Sequence, residues 1–169
     1  MNTTAKQTLG SVTTPSPKGE GWVGGRLSEH FKLEEFTRSP TAKAHGISND
    51  PTPLQMSNMK ALCEKVLEPL RNAFKCPIVI GSGYRCQKLN KLVGGVYNSQ
   101  HMTGEAADIH IPDNELGLKW FEWIRTHCPY DQLIIERNTK NSTRYWIHVS
   151  YRRDGKNRMQ VIRNLIKNK

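Results

Sequence analysis

Between Pro51 and Phe74, apolar residues recur at helical spacing: Leu54, Met59, Leu62, Val66, Leu70 and Phe74. That period lays them along one stripe of a helix, with ordinary core packing as its use. Asn49 and Asp50 offer caps ahead of Pro51. Pro69 falls inside the stripe and has to kink or restart the helix, because it has no N–H to donate. The rhythm then changes. Residues 77–82 (PIVIGS) form a short apolar run that predicts a buried strand, and residues 87–93 predict a short helix ended by Gly94-Gly95. Residues 108–111 alternate and stop at Pro112, as a strand does. A second helix is expected over 114–127, with Leu116, Trp120, Trp123, Ile124 and His127 on its apolar side and Pro129 after it. Residues 130–136 predict a strand, 137–144 a polar hairpin and 145–151 the returning strand. A last strand or helix is expected over 159–166. Upstream, Phe31, Leu33 and Phe36 can anchor an arm, and Glu34 and Glu35 suit the first turn of a short helix.

One helix followed by strands with a single interposed helix predicts an α+β fold: a small antiparallel or mixed sheet with flanking helices. At 169 residues the chain makes one domain. Residues 1–25 are rich in Thr, Ser, Pro, Gly and Lys and lack periodicity. They predict a flexible leader, able to serve as a tether to a larger particle, ahead of a domain over 26–169. No apolar run approaches the ~20 residues of a membrane span. The first twenty residues lack the apolar core of a secretory signal, so a target outside the cytoplasm requires another route of delivery.

Charge narrows the partners only slightly. The formal net charge is +10, which favours anionic partners. No helix-turn-helix, zinc-finger or aromatic RNA-binding motif accompanies it, so no specific nucleic acid is expected. Cys63, Cys76, Cys86 and Cys128 contain no CxxC pair and do not spell a structural zinc site. Cys63 falls on the apolar side of the first helix, and Cys86 directly follows Arg85.

The candidate chemistry lies in residues 98–110 (NSQHMTGEAADIH). His101 and Asp108 are ordinary zinc ligands, and Gly104 with Ala106 and Ala107 permits a tight approach between them. A catalytic zinc site keeps three protein ligands and one open position. His148, in the alternating run YWIHVSY, supplies the third. His30 and His45 have no partner at ligand spacing and read as surface residues. His110 shares a strand face with Asp108 and is not counted as a ligand.

Ser99-x-His101-x-x-Gly104-x-Ala106-x-Asp108 resembles the SxHxxGxAxD signature of the zinc D-alanyl-D-alanine carboxypeptidase family, which includes L-alanyl-D-glutamate endopeptidases. Ser82-Gly83-Tyr84-Arg85 is similar to that family's SGYR element, and residues 146–150 (WIHVS) to its terminal zinc-ligand strand. The likeness spans roughly 27–162 and is closest to single-domain members from phages and prophages. It implies a hedgehog/D-Ala-D-Ala-peptidase-like fold, zinc, and hydrolysis of peptidoglycan stem peptides. Either a free lysin or a particle-borne one, attached through the leader, fits that reading. The resemblance assigns Arg85 to the developing oxyanion or a substrate carboxylate, and Tyr84 to substrate binding. It leaves Ser99 between a substrate hydrogen bond and a loop-stabilising one.

The sequence departs from this pattern at the general base. Several family members carry an acid three residues before the last zinc histidine; here that position is Tyr145, a poor base with a pKa near ~10. Glu136 ends the strand joined by hairpin to the His148 strand. Neighbouring strands lie about 5 Å apart, so its carboxylate is expected to reach the zinc site. Glu105 is the weaker candidate. The missing acid also leaves a second reading open: a zinc-containing wall-binding or structural phage module with little hydrolysis.

Overall fold

The computed structural model describes residues 25–137 and 145–164. Five strands form one mixed sheet: β1 (Val79–Ser82), β2 (Ala106–His110), β3 (Gln132–Arg137), β4 (Tyr145–Ser150) and β5 (Gln160–Asn164). Their spatial order is β1-β2-β4-β3-β5. The first three pairings are antiparallel, and β5 joins β3 in parallel. The fold is therefore α+β with a small mixed sheet, as the order of elements predicts. The expected leader lies outside the described residues except for Gly25, and the hairpin outside them except for Arg137.

The long helix is present, but its start and middle differ from expectation. Helices α1 (Leu33–Thr37) and α2 (Pro40–Ala44) precede α3 (Pro53–Leu62). Thr52, not Asn49 or Asp50, caps α3: its hydroxyl accepts from the Gln55 N–H, and the Gln55 side chain accepts from the Thr52 N–H at 2.7 Å. A π-helical turn, Cys63–Leu67, runs straight into α4 (Glu68–Phe74). Within it the Glu68 N–H reaches back five residues to the Cys63 carbonyl. Pro69 cannot donate to the carbonyl four residues back, and its ring would crowd it. Widening by one residue absorbs that misfit and leaves Val66, Leu67 and Leu70 buried.

One face of the sheet makes the core. Ile80, Ala107, Ile109, Leu133, Ile135, Ile147 and Val149 pack with Met59, Leu62, Val66 and Leu70. Trp120, Phe121 and Ile124 of α6 (Asn114–His127) and Phe31 and Phe36 of the N-terminal arm complete it. Each buried Val, Leu, Ile, Phe or Met side chain among them gains about 1.5–3 kcal/mol. Leu54, expected in the stripe, is 59% exposed. It sits in the first turn of α3 on the side away from the core, which receives Met56, while Gln55 serves the site. β1 is likewise an edge strand, not a buried one: Ile78 and Ile80 point into the core while Val79 is half exposed. The closing segment, left as strand or helix by its pattern, is the strand β5.

Candidate metal centre and cleft

Period-two alternation sends Asp108, His148, Ile134 and Glu136 to the sheet face opposite the core. In the register, Asp108 lies between His148 on β4 and Ser82 on β1. The pairing slips at Gly81, between Ile80 and Ser82. Such a bulge bends an edge strand and re-aims the residues after it; here they form the loop carrying Gly83 and Arg85.

His101 comes from the loop before β2 and is fully buried. Polar residues of α3 hold that loop. The Gln55 side chain donates to the Met102 carbonyl at 2.9 Å, and the Asn58 side chain to the Thr103 carbonyl at 2.9 Å. Gly104 turns the chain with φ +74°, and a Cβ there would lie 2.5 Å from the Gln55 carbonyl oxygen. Only glycine satisfies both the conformation and the contact. Gly83 is needed for a similar closeness: a Cβ would meet the Phe36 Cα at 2.6 Å. Its carbonyl accepts from His101 Nδ1 at 2.6 Å. That bond fixes the tautomer and leaves the Nε2 lone pair facing Asp108.

Three atoms converge as a result. Asp108 Oδ1 lies 2.9 Å from His148 Nδ1 and 3.3 Å from His101 Nε2, and the two ring nitrogens are 3.2 Å apart. Burial opposes ionisation of Asp108, yet the imidazoles beside it hold its carboxyl well below the usual carboxylate range. Burial also lowers the His101 pKa, against the pull of Asp108. A neutral imidazole and an ionised carboxylate are the forms that bind a cation. Two nitrogens and one oxygen converging within 3.3 Å of one another fit a zinc ion with an open position. These are the three residues among those described that are placed to hold a metal.

The centre lies in a cleft of about 610 Å³. Arg85, Ser99 and Glu136 line it, as do Trp146, Gln132 and Arg158. Arg85 is half buried; its N–H donates to the His101 carbonyl at 3.1 Å, tying the two loops together. Burial lowers its pKa and Asp108 raises it. Its Nη1 reaches Ser82 Oγ at 3.4 Å, and its Nε has no partner among the described residues. Ser99 is buried, and its hydroxyl accepts from the His101 N–H at 3.4 Å, so the loop-stabilising bond is present. Glu136 stands diagonal to His148 across the β3–β4 pairing, and its Oε1 accepts from the Asn164 side chain at 3.0 Å.

Two expected residues lie elsewhere. The Tyr84 ring is buried with the core and does not line the cleft. Glu105 does not line the cleft and accepts from the Thr103 hydroxyl at 2.9 Å. Tyr145 is on the opposite strand face from His148 and packs against the core. Cys86 also points away: its Sγ accepts from the Leu89 N–H at the start of α5 (Gln87–Leu92). Cys63 and Cys128 are buried thiols, the latter pushed up to about 12 by desolvation.

Sequence pattern alone missed Asn49. Its side chain donates to the Thr37 and Tyr84 carbonyls and accepts from the Cys86 N–H, pinning the loop that presents Arg85. No local signal marks it. Gln55 and Asn58 did leave one, as polar positions near the apolar stripe of α3.

Residues 29–150 match the family described as Peptidase M15. The chain belongs to the Peptidase M15 family. The match spans the metal set and ends before β5, so Arg158 lies beyond it. Comparison with curated proteins returned no match. Membership makes this M15 chain a peptidase, and the His-Asp-His set suits the metal dependence of such enzymes. Among its described residues no helix is long and apolar enough to cross a membrane.

Proposed function

We propose that this chain is a zinc-dependent peptidase that hydrolyses peptidoglycan stem peptides, as a D,D-carboxypeptidase or an endopeptidase, in the manner of a phage-type wall lysin. The observation that carries the reading is the convergence of His101 Nε2, His148 Nδ1 and Asp108 Oδ1 in a cleft that also presents an arginine and a carboxylate. The motif likeness to peptidoglycan peptidases supports the substrate class.

His101, Asp108 and His148 would hold the zinc. When bound, zinc lowers the pKa of a water toward ~7 and polarises a carbonyl oxygen. Glu136 accepts the proton of the attacking water on its carboxylate and returns it to the leaving amine nitrogen. Arg85, fixed between the two motif loops, faces the carbonyl oxygen as negative charge develops on it, or grips a substrate carboxylate. Gly83 keeps His101 in the ligating tautomer. Ser99 holds the loop and presents its remaining hydrogen-bonding capacity to the cleft.

The test is zinc stoichiometry together with wall cleavage. One zinc per chain is expected, lost in His101→Ala, Asp108→Ala and His148→Ala. Turbidity of purified walls should fall with the wild type and not after chelation, and mass spectrometry of the released muropeptides identifies the bond. Stoichiometric zinc in all three variants would remove the site assignment. Zinc binding without cleavage of any wall preparation would favour a wall-binding or structural module.

A further inference from the structure

Arg158 is unlike Arg152 and Arg163 of the C-terminal segment, while Arg153 donates from Nε to the Asn58 side chain at 3.3 Å. Arg152 pairs with Asp154 and Arg163 with Glu122, both partners being exposed. Arg158 is held by Asp131, which is only 1% exposed. Asp131 Oδ1 accepts from the Arg158 N–H at 3.0 Å and from its Nε at 3.1 Å. Oδ2 accepts from Nε at 3.0 Å and Nη2 at 2.5 Å. Asp131 is itself anchored, donating its N–H to the Ser150 carbonyl at 2.7 Å.

The guanidinium is therefore gripped along one edge. Nη1 and the outer hydrogen of Nη2 have no acceptor among the described residues, and the side chain is 54% exposed where it lines the cleft. An exposed arginine free to move loses rotamer entropy when it binds a ligand; one already fixed loses little. Its free edge is a planar pair of donors, the geometry that receives a carboxylate. Position along the sheet adds to this. Arg158 lies at the Gln132 end of β3, whereas Ile134 is level with His148 and Glu136 is beyond it. Two residues of strand span about 7 Å, so Arg158 and Glu136 flank the metal set on opposite sides.

We propose that Arg158, presented by buried Asp131, is a specificity-determining residue that receives a carboxylate of the peptide substrate away from the scissile bond. This rests on the stem-peptide reading above. Such peptides carry two carboxylates of suitable chemistry, the α-carboxyl of the D-glutamyl residue and the C-terminal carboxyl.

The experiment is titration calorimetry of the zinc-loaded protein with three backbone N-methylated, hydrolysis-resistant pentapeptides. One has both carboxyls free, one has the D-glutamyl α-carboxyl amidated, and one has the C-terminus amidated. The wild type should bind the free peptide at least tenfold more tightly than one of the amidated forms, which identifies the carboxyl. Arg158→Gln should abolish that difference, and Arg158→Lys should restore only part of it. Amidation leaves the protein untouched, so the wild-type comparison stands even if a variant folds poorly. Equal affinity of the wild type for all three, or equal weakening of all three by Arg158→Gln with a lowered Tm, overturns the proposal and makes Arg158 a clasp for β5. Binding of none also overturns it. Zinc-dependent wall cleavage then decides whether the stem-peptide reading falls as well.

Discussion

Glu136→Gln is the substitution that most directly tests how the cleft works. The register sets Ile134 opposite His148, so Glu136 is the diagonal neighbour of that histidine on the same sheet face. Diagonal neighbours lie ~7–8 Å apart, a gap that one side chain and one water can span. Tyr145 is three residues from His148; an odd separation in a strand turns it to the other face, where it packs on the core. Gln is isosteric with Glu and keeps the oxygen that accepts from Asn164. The stability change should therefore stay within ~0.5 kcal/mol, and zinc content should not change. A general base contributes ~10²–10⁴-fold, so kcat should fall at least ~100-fold, about 2.7 kcal/mol of barrier. The assay is steady-state hydrolysis of a stem peptide at saturating concentration, with metal analysis and a thermal melt on the same samples. Tyr145→Phe, measured alongside, should lose far less. A Glu136→Gln enzyme within threefold of wild type, beside a crippled Tyr145→Phe, would refute the parity argument and give the proton transfer to the tyrosine side of the sheet.

Arg85→Lys keeps a charge but loses the planar fork, so kcat/KM should drop at least ~tenfold, about 1.4 kcal/mol, with zinc retained; unchanged turnover would make Arg85 a structural tie only. Gly83→Ala forces a Cβ against the Phe36 backbone and displaces the carbonyl that orients His101. It should cost about 1–3 kcal/mol of stability and ~10–100-fold in zinc affinity, read by melts and metal titration, and a variant normal in both would contradict the close approach. Glu68 gives a pH-dependent test in the N-terminal arm. Burial opposes its ionisation, but hydrogen bonds from the Ser28 hydroxyl and from the backbone and ring of His30 hold its pKa below 4.5. Its stabilisation is thus present above that value and is lost as pH falls through the folded pKa. Glu68→Gln should cost roughly 2 kcal/mol at pH 7 in denaturant titrations, and the gap to wild type should shrink below about pH 4.5; a pH-independent gap would disprove the linkage.

Much of the site was legible because its ligands come in short segments with fixed periods. Residues 101–108 carry two ligand types around a glycine turn, and residues 145–150 alternate, so His148 could be set on a strand. The choice of Glu136 came from a hairpin that brings two strands side by side. Periodicity also located α6 and the buried stretch from Met59 to Leu70. Contacts between segments distant in the chain were out of reach. Leu54 fits the helical period, yet it faces away from the core, and the N-terminal half of α3 grips the His101 loop through Gln55 and Asn58. Tyr84 stands beside Arg85 in the motif, but its ring is buried with the core. Asn49, Asp131 and Arg158 act through partners far off in the chain, such as Cys86 for Asn49 and Asp131 for Arg158. Sequence by itself determined which side chains can bind a metal and on which strand face Asp108 and His148 lie, because those depend on residue type and local period. Only the tertiary structure decided which faces meet, which polar groups hold the site from behind and which arginine the cleft receives, because those depend on strand register and on packing between elements far apart in the chain.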